Sequence, residues 1–320
     1  MLKATTFRQL KTLQTVARVG SISGAAVELH LTQPAVSLQL SQLGQAAGTP
    51  LLRRAGREAK LTAAGEVMVR YANEILGLWN QAGEEVAALR GELGGTLRIG
   101  AITTAEYLVP PLLVQFTRAR PGVKLQFRIG HRDEIVRMLA THEIDLAIMG
   151  RQPRELRTQA AAFAKHPMAF IASPSHPLMS AGKVQLGELE LANLLIRERG
   201  ADTRAAVEAL FKAEGLKLHA ASELSSNEAI KQLVEAGLGV AFLSLHACAL
   251  ELKSGLLAML PVPATPIERA WHVVHVSDRR LPHVATAFRD FLLESSAALL
   301  EGGQKAEGAR KRAIRKVVTL

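Results

Sequence analysis

The 320-residue sequence predicts an all-α winged helix-turn-helix at its N-terminus, joined by one long helix to an α/β region. Three observations predict it. Residues 5–43 carry three short helical stripes, and a tight turn separates the second from the third. Residues 62–93 contain no proline and repeat apolar side chains at steps of three and four. From Thr96 onward, short β-type runs alternate with helical stretches, as they do in parallel α/β units.

The first helix shows in Phe7, Leu10, Leu13, Val16 and Ala17. In the second, the small Ala25 and Ala26 allow close helix approach, and Leu29 and Leu31 close a core. The third runs from Thr32 to Leu43. Ala35, Val36, Leu40 and Leu43 recur on one face, with the uncharged hydrogen-bonding Gln33, Ser37, Gln39 and Gln42 on the remaining arc. Thr32 caps the first turn, and Pro34 fits there because first-turn N–H groups have no intrahelical partner. A short helix with amides on its outer face suits the DNA major groove, where a glutamine both donates to and accepts from an adenine edge. Residues 50–62 then place two short runs around a glycine-containing tip. This is a two-stranded wing that carries Arg53, Arg54, Arg57 and Lys60 towards phosphates.

The net charge of +10 is unevenly spread. Residues 1–60 hold eight Lys/Arg against two Asp/Glu, residues 301–320 hold six against two, and the rest is balanced at 25 each. A basic end on a neutral body is the electrostatic footprint of a nucleic-acid binder with a separate second function. The long helix carries Ala64, Met68, Tyr71, Ile75, Leu78, Ala82, Val86, Leu89 and Leu93 on a narrow seam, the pattern of a dimer contact roughly 45 Å long. Gly91, Gly94 and Gly95 mark the boundary that follows. The tail Gly302–Leu320 is basic without an apolar face and reads as solvated chain. Cys248 is the one cysteine, so no intramolecular disulfide forms; this, and the absence of a signal-like or membrane-length apolar stretch, fits a cytoplasmic protein.

In the α/β region, strands are expected at 96–101, 123–129, 145–149, 168–172, 218–223, 240–243 and 271–276, with helices at 107–119, 134–141, 203–214, 227–236 and 282–293. Polar clusters fall at four strand-to-helix joints: Thr103-Thr104, Gly150-Arg151, Arg199 to Arg204, and Ser225 to Asn227. Ligands of α/β folds lie at such joints, and helix N-termini favour anions. Thr103, Thr104, Thr203 and Asn227 are therefore expected to hold a small anion, with Arg151, Arg199 and Arg204 supplying charge.

Residues 5–65 resemble the winged helix-turn-helix of the LysR-type transcriptional regulators. The matching string includes Gly20-Ser21, Ala25-Ala26, Leu29, Thr32 to Ser37, Leu43, Pro50-Leu51, Arg53, Leu61-Thr62 and Gly65. Gly44 and Leu52 depart from the pattern, where the family usually has glutamate and phenylalanine, and Gly44 is expected to fray the end of the third helix. The resemblance implies a DNA-binding domain over 1–62, a dimerising linker helix over 63–94 and an effector region over 95–300 that resembles two-lobed periplasmic solute-binding proteins. Crossings near Lys165–His166 and Pro263–Ile267 would divide it into one lobe of 95–165 with 268–295 and another of 166–267. Strings such as Thr103 to Tyr107, Gly130 to Glu134, Ala147 to Pro153, Ser226 to Gln232 and Arg269 to His275 resemble the CbbR-type regulators of carbon-fixation (RuBisCO, Calvin cycle) operons. That implies an activator working with RNA polymerase on promoter DNA as a dimer of dimers. Its effector would be a phosphorylated metabolite or nucleotide, with no cofactor. Glu106 stands where that group often has lysine.

Two other function classes fit less well. An enzyme would need a nucleophile or metal cluster. The sequence has no G-x-S-x-G elbow and no P-loop, and His272 and His275 lie three apart on a strand, so they face opposite ways. A solute-binding protein would leave residues 1–62 without a purpose.

Overall fold

The structure, a computed structural model, describes residues 5–55, 58–89, 94–219 and 222–294. Residues 301–320, the basic tail, lie outside the described residues. The chain forms two compact units, Met1–Gly94 with Ala140–Ile144, and Gly95–Leu139 with Asp145–Leu320.

In the first unit, α1 (Phe7–Val19) is set by a capping box between Thr6 and Gln9 and stopped by Gly20 at φ 74°. Ser21 caps α2 (Ile22–Glu28), and Thr32 caps α3 (Gln33–Ala47) with Pro34 in its first turn. Gly44 does not fray α3. The helix passes through it to Ala47 and ends at Gly48, whose φ of 73° gives the left-handed cap. The wing is an antiparallel pair, β1 (Leu52–Ala55) and β2 (Glu58–Leu61), with Arg53 opposite Lys60. Leu10, Leu13, Val16, Ala25, Val36, Leu40, Leu43 and Leu51 make one core, which Val69 and Ala72 of α4 (Ala63–Leu89) close.

The α4 seam differs from the expected one. Ala64 and Met68 pack inward on that core. Val67, Tyr71, Ile75, Leu78, Trp79 and Val86 are exposed. Placing the domain-facing stripe required knowing which turn of α4 meets α1. The Leu89 side chain and Leu93 lie outside the described residues.

The second unit holds a single nine-stranded sheet. Its first half contains β3 (Gly95–Ile102), α5 (Val109–Arg118), β4 (Val123–Gly130), α6 (Arg132–Ala140) and β5 (Leu146–Met149), with β3 parallel to both β4 and β5. After the long β6 (Thr158–Ala172), the second half contains β7 (Leu194–Arg197), α7 (Asp202–Ala213), β8 (Ser222–Leu224), α8 (Asn227–Glu235), β9 (Val240–Ser244), the short α9 (Ala249–Ser254) and β10 (Ala258–Met259). Here β7 is parallel to β8 and β9. β11 (Ile267–Val276) returns antiparallel to β6, and α10 spans 283–294.

β6 and β11 belong to both halves. β6 pairs with β9 over 168–171, and β11 pairs with β5 over 272–274. The two strands pass between the halves side by side, at about 164–167 and 268–271. The return passage thus lies inside β11 rather than in the loop at Pro263–Ile267. The run Leu194–Ile196, not expected as a strand, is fully buried and forms β7 at the centre of the second half. The strand expected over 218–223 is shorter, and 220–221 lie outside the described residues.

Packing at Gly65 is testable. An added methyl there would meet the Leu51 carbonyl oxygen at 2.0 Å, whereas at Gly83 of the same helix it would meet nothing within 4 Å. Gly65→Ala should destabilise the winged unit by about 1–3 kcal/mol. Gly83→Ala should stabilise by up to about 1 kcal/mol, because alanine is the better helix former. Urea unfolding followed by circular dichroism reads both.

Candidate functional site

The helix-turn-helix presents Thr32, Gln33, Pro34 and Ser37 to solvent on the first turns of α3. The Gln33 side-chain oxygen accepts from Ser23 Oγ at 3.3 Å, which steadies the amide at the turn between α2 and α3. Gln39 and Gln42 correct the expectation for that arc. Gln39 Oε1 accepts from the Thr12 hydroxyl, and Gln42 Oε1 accepts from Gln9 Nε2 at 3.0 Å. Both amides are used in fastening α3 to α1, because the polar arc continues round to where α1 offers its own Gln9 and Thr12. On the wing, Arg53 is exposed and sits directly opposite Lys60. Cations on such a ribbon suit contact with a phosphate backbone. Arg57 and the Arg54 side chain lie outside the described residues.

The second site lies between the two halves of the sheet, at the carboxyl ends of their parallel strands. β3 delivers Thr103 and Thr104 into a 3-10 turn, Thr103–Tyr107. β5 ends beside Gly150 and Arg151. β7 delivers Arg197 and Glu198, and the first turns of α7 and α8 contribute Asp202, Thr203 and Asn227. Arg197, a residue not singled out in the sequence, is the hub. Its side chain is 1% exposed. Nε and Nη2 donate to the two Glu198 carboxylate oxygens at 2.7 and 2.9 Å, Nη2 also to Thr103 Oγ1 at 3.1 Å, and Nη1 to Asn227 Oδ1. Burial pushes the Glu198 carboxyl up, but the hydrogen bonds and charge of Arg197 outweigh that and hold it below the usual carboxylate range.

Further bonds join the halves. His131 Nδ1 lies 2.9 Å from Glu198 Oε1, and the Tyr107 hydroxyl donates to Glu228. Asp202, buried at the start of α7, accepts from Gly150 N at 2.9 Å and Arg151 Nε at 2.7 Å, with Arg132 at 3.6 Å. Beside it opens a cavity of about 590 Å³, whose lining includes Arg132, Gly150, Arg151, Arg154, Asp202 and Arg269. This volume and this polarity suit a small, charged ligand.

Among the expected residues, Thr203 and Asn227 stand out. Both are buried, and neither Thr203 Oγ1 nor Asn227 Nδ2 has a hydrogen-bond partner among the described residues. Each sits in the first turn of its helix, where backbone N–H groups also face outward. Thr104 is buried alongside Ala105. Arg199 and Arg204 correct the expectation of direct charge. Arg199 is exposed, and its backbone N–H donates to Glu223. Arg204 is tied to Glu208 at 2.6 Å, to Glu223 at 2.7 Å and to the Arg197 carbonyl. Burial alone would lower its pKa, but the two carboxylates raise it. The positive charge between the halves comes instead from Arg197 at their contact and from Arg132, Arg151, Arg154 and Arg269 around the cavity.

His166 lies where β6 passes between the halves. It is fully buried and stacks on Trp271 at 3.8 Å between ring centroids, and neither of its nitrogens has a partner among the described residues. A methyl added at Gly150 would come within 3.2 Å of His166 Nδ1 and 2.8 Å of Asp202 Oδ2, so this floor admits only glycine. Burial drives the His166 pKa down to about 3, with smaller contributions from His246, Arg269 and His272.

With this geometry in view, comparisons with known proteins are decisive. Residues 7–66 match the bacterial regulatory helix-turn-helix protein model of the lysR family, and residues 90–297 match the LysR substrate binding domain. The chain belongs to the LysR family of transcriptional regulators, which bind DNA through such a helix-turn-helix. Within that family it is 43% identical to the HTH-type transcriptional regulator CfxR of Cupriavidus necator, over 93% of this chain and 94% of that protein. It is 38% identical to a RuBisCO operon transcriptional regulator of Acidithiobacillus ferrooxidans, over 92% and 96%. Among solved structures, the regulatory domain of Synechocystis CcmR in complex with 2-PG superposes at TM-score 0.59 and 31% identity, covering 63% of this chain and 97% of that one.

The buried histidine gives a pH signature. His166 has a folded pKa of about 3 against 6.5 ordinarily, so below pH 6.5 the unfolded chain takes up a proton that the folded chain refuses. Its contribution to stability is level above pH 6.5 and becomes steadily more unfavourable as pH falls towards 3, by up to about 1.4 kcal/mol per unit. His166→Phe keeps the stack on Trp271 and should remove that part of the slope. Urea unfolding of both proteins across this range measures the difference.

Proposed function

We propose that this protein is a cytoplasmic, non-enzymatic regulator that activates a carbon-fixation (RuBisCO) operon, with its promoter binding tuned by a small anionic, phosphorylated metabolite held between the two halves of the sheet. The observation that carries the effector reading is the pair of buried donors on Thr203 and Asn227 that have no partner among the described residues, with Asn227 bonded to the buried Arg197 guanidinium. Leaving a buried polar group unpaired costs about 1–3 kcal/mol, so a ligand that supplies acceptors gains that much on entry. The RuBisCO operon regulator among its relatives supports the choice of operon, and the CcmR regulatory domain in complex with 2-PG supports a small-metabolite ligand.

Pairing of two chains along the exposed Tyr71, Ile75, Leu78 and Trp79 face of α4 would give a dimer, and two dimers a tetramer that reads a two-fold operator and meets RNA polymerase. A ligand acts at the promoter only by binding one arrangement of the protein better than another. A coupling of about 1–3 kcal/mol, or roughly 5–150-fold in affinity, is enough, and it is reciprocal between metabolite and DNA.

Footprinting on the promoter of the regulated operon, with and without 2-PG, tests this. Thr203→Val removes only an unpaired hydroxyl at nearly constant volume, so the variant should fold and bind DNA as before. Its footprint should no longer respond to 2-PG; an unchanged response places the ligand elsewhere.

DNA reading is tested separately. Gln33→Ala should lower the preference for the operator over random DNA by a factor equivalent to about 1–3 kcal/mol. Arg53→Ala should weaken both alike and reduce the salt slope by about one unit. Gel shifts at several salt concentrations separate the two outcomes.

A further inference from the structure

We infer that Glu198 is a built-in occupant of the anion seat on Arg197, which the effector must displace, and that it thereby restricts effectors to ligands with a strong, two-pronged oxyanion. This rests on the proposal that a metabolite binds between the halves.

The geometry of the seat supports it. A guanidinium offers five N–H donors in a fixed fork, which matches two oxygens of a carboxylate or phosphate. On Arg197 the edge formed by Nε and Nη2 is filled by the two oxygens of Glu198. The remaining bonds go to neutral oxygens, those of Thr103 and Asn227. Among the described residues, the negative partner of this buried cation is thus the residue next to it in the chain. Unlike Arg197, Glu198 is not enclosed: its side chain is 23% exposed. It is also steadied from the opposite half by His131, itself 52% exposed. A carboxylate with one side open to water can swing out and be solvated. The guanidinium beneath it cannot follow.

The seat is therefore always filled, by Glu198 or by a ligand. A neutral ligand cannot replace a charge-assisted pair of hydrogen bonds, which is roughly twice as strong as a neutral pair. A bidentate oxyanion can. Displacement also breaks the Glu198–His131 bond between the halves, so occupation of the seat changes what joins them. The apparent affinity of any ligand is reduced by the fraction of time for which Glu198 holds the seat, and loosening Glu198 restores it.

Calorimetric titration of the full-length protein with 2-PG, and separately with inorganic phosphate, tests the inference. Wild type is compared with Glu198→Gln, which keeps the shape but weakens the hold. It is also compared with Glu198→Asp, which keeps the charge but draws the carboxylate back by one methylene. Both variants should bind the anions more tightly, Glu198→Gln by about tenfold. Equal or weaker binding by Glu198→Gln overturns the inference. So does tighter binding by Glu198→Gln alone, which would mean that Glu198 merely repels anions. If phosphate follows the expected order in both variants while 2-PG does not bind, the seat stands and the choice of 2-PG as effector falls. Failure of both anions to bind Glu198→Gln overturns the seat itself.

Discussion

A guanidinium taken out of water has to be surrounded by acceptors, and the second unit is arranged to do this for Arg197. The residue lies at the end of β7, the middle strand of its half, with β8 and β9 on either side. Its acceptors come from three places: the next residue in the chain, the first turn of α8, and the end of β3 in the opposite half. Losing a partner of a buried charge costs far more than losing a surface ion pair. The contact between the halves, the positions of Asn227 and Thr103 and the seating of Glu198 are thus bound to one side chain. The same constraint makes the cleft responsive, because any change in what Arg197 holds is felt on both sides at once.

Among the described residues, β6 and β11 are the strands that the two halves share, so any movement between the halves has to pass through them. The passage is paved with His166 stacked on Trp271, and Trp271 Nε1 in turn donates to His246 at 3.2 Å. Stacked rings on adjacent strands resist shear yet allow the strands to twist. Near this passage Asp202 gathers Gly150, Arg151 and Arg132. Further out, Tyr107 meets Glu228, and Lys231 lies over the Tyr107 ring. The cleft is thus held by polar bonds along its length and by aromatic packing at its base.

Much of this could be read from the chain, and the failures have physical causes. The start of the third helix was legible because Thr32 and Pro34 are local signals that act within a few residues; the caps at Thr6 and Ser21 and the stops at Gly20 and Gly48 are equally local but emerge from the structure. The starts of α7 and α8 beside Thr203 and Asn227 were legible because helix starts can be located from sequence. Arg197 was not. Leu194–Ile196 is a buried run too short to show a period, and the arginine after it resembles any surface charge until the opposite half is brought to it. Arg199 and Arg204 carry charge in the same stretch, but Glu208 one turn further along α7 and Glu223 on β8 hold Arg204; the first pair is an i,i+4 spacing visible in the sequence, the second is not. Gln39 and Gln42 failed similarly, since an amide looks the same whether it faces DNA or a neighbouring helix.

The shared strands also impose an order on how the polypeptide can assemble as it is made. Most of the strands of the second half lie within one contiguous stretch, from β7 to β9, and can meet as soon as that stretch exists. The first half is different: β5 has β3 on one side, but its other neighbour is β11, more than a hundred residues further along. Until the ribosome has released β11, β5 presents an open edge, and closing so large a loop is slow compared with local pairing. The half that is begun first is finished last, and a nascent chain carries that unpaired edge until the residues of β11 have been made.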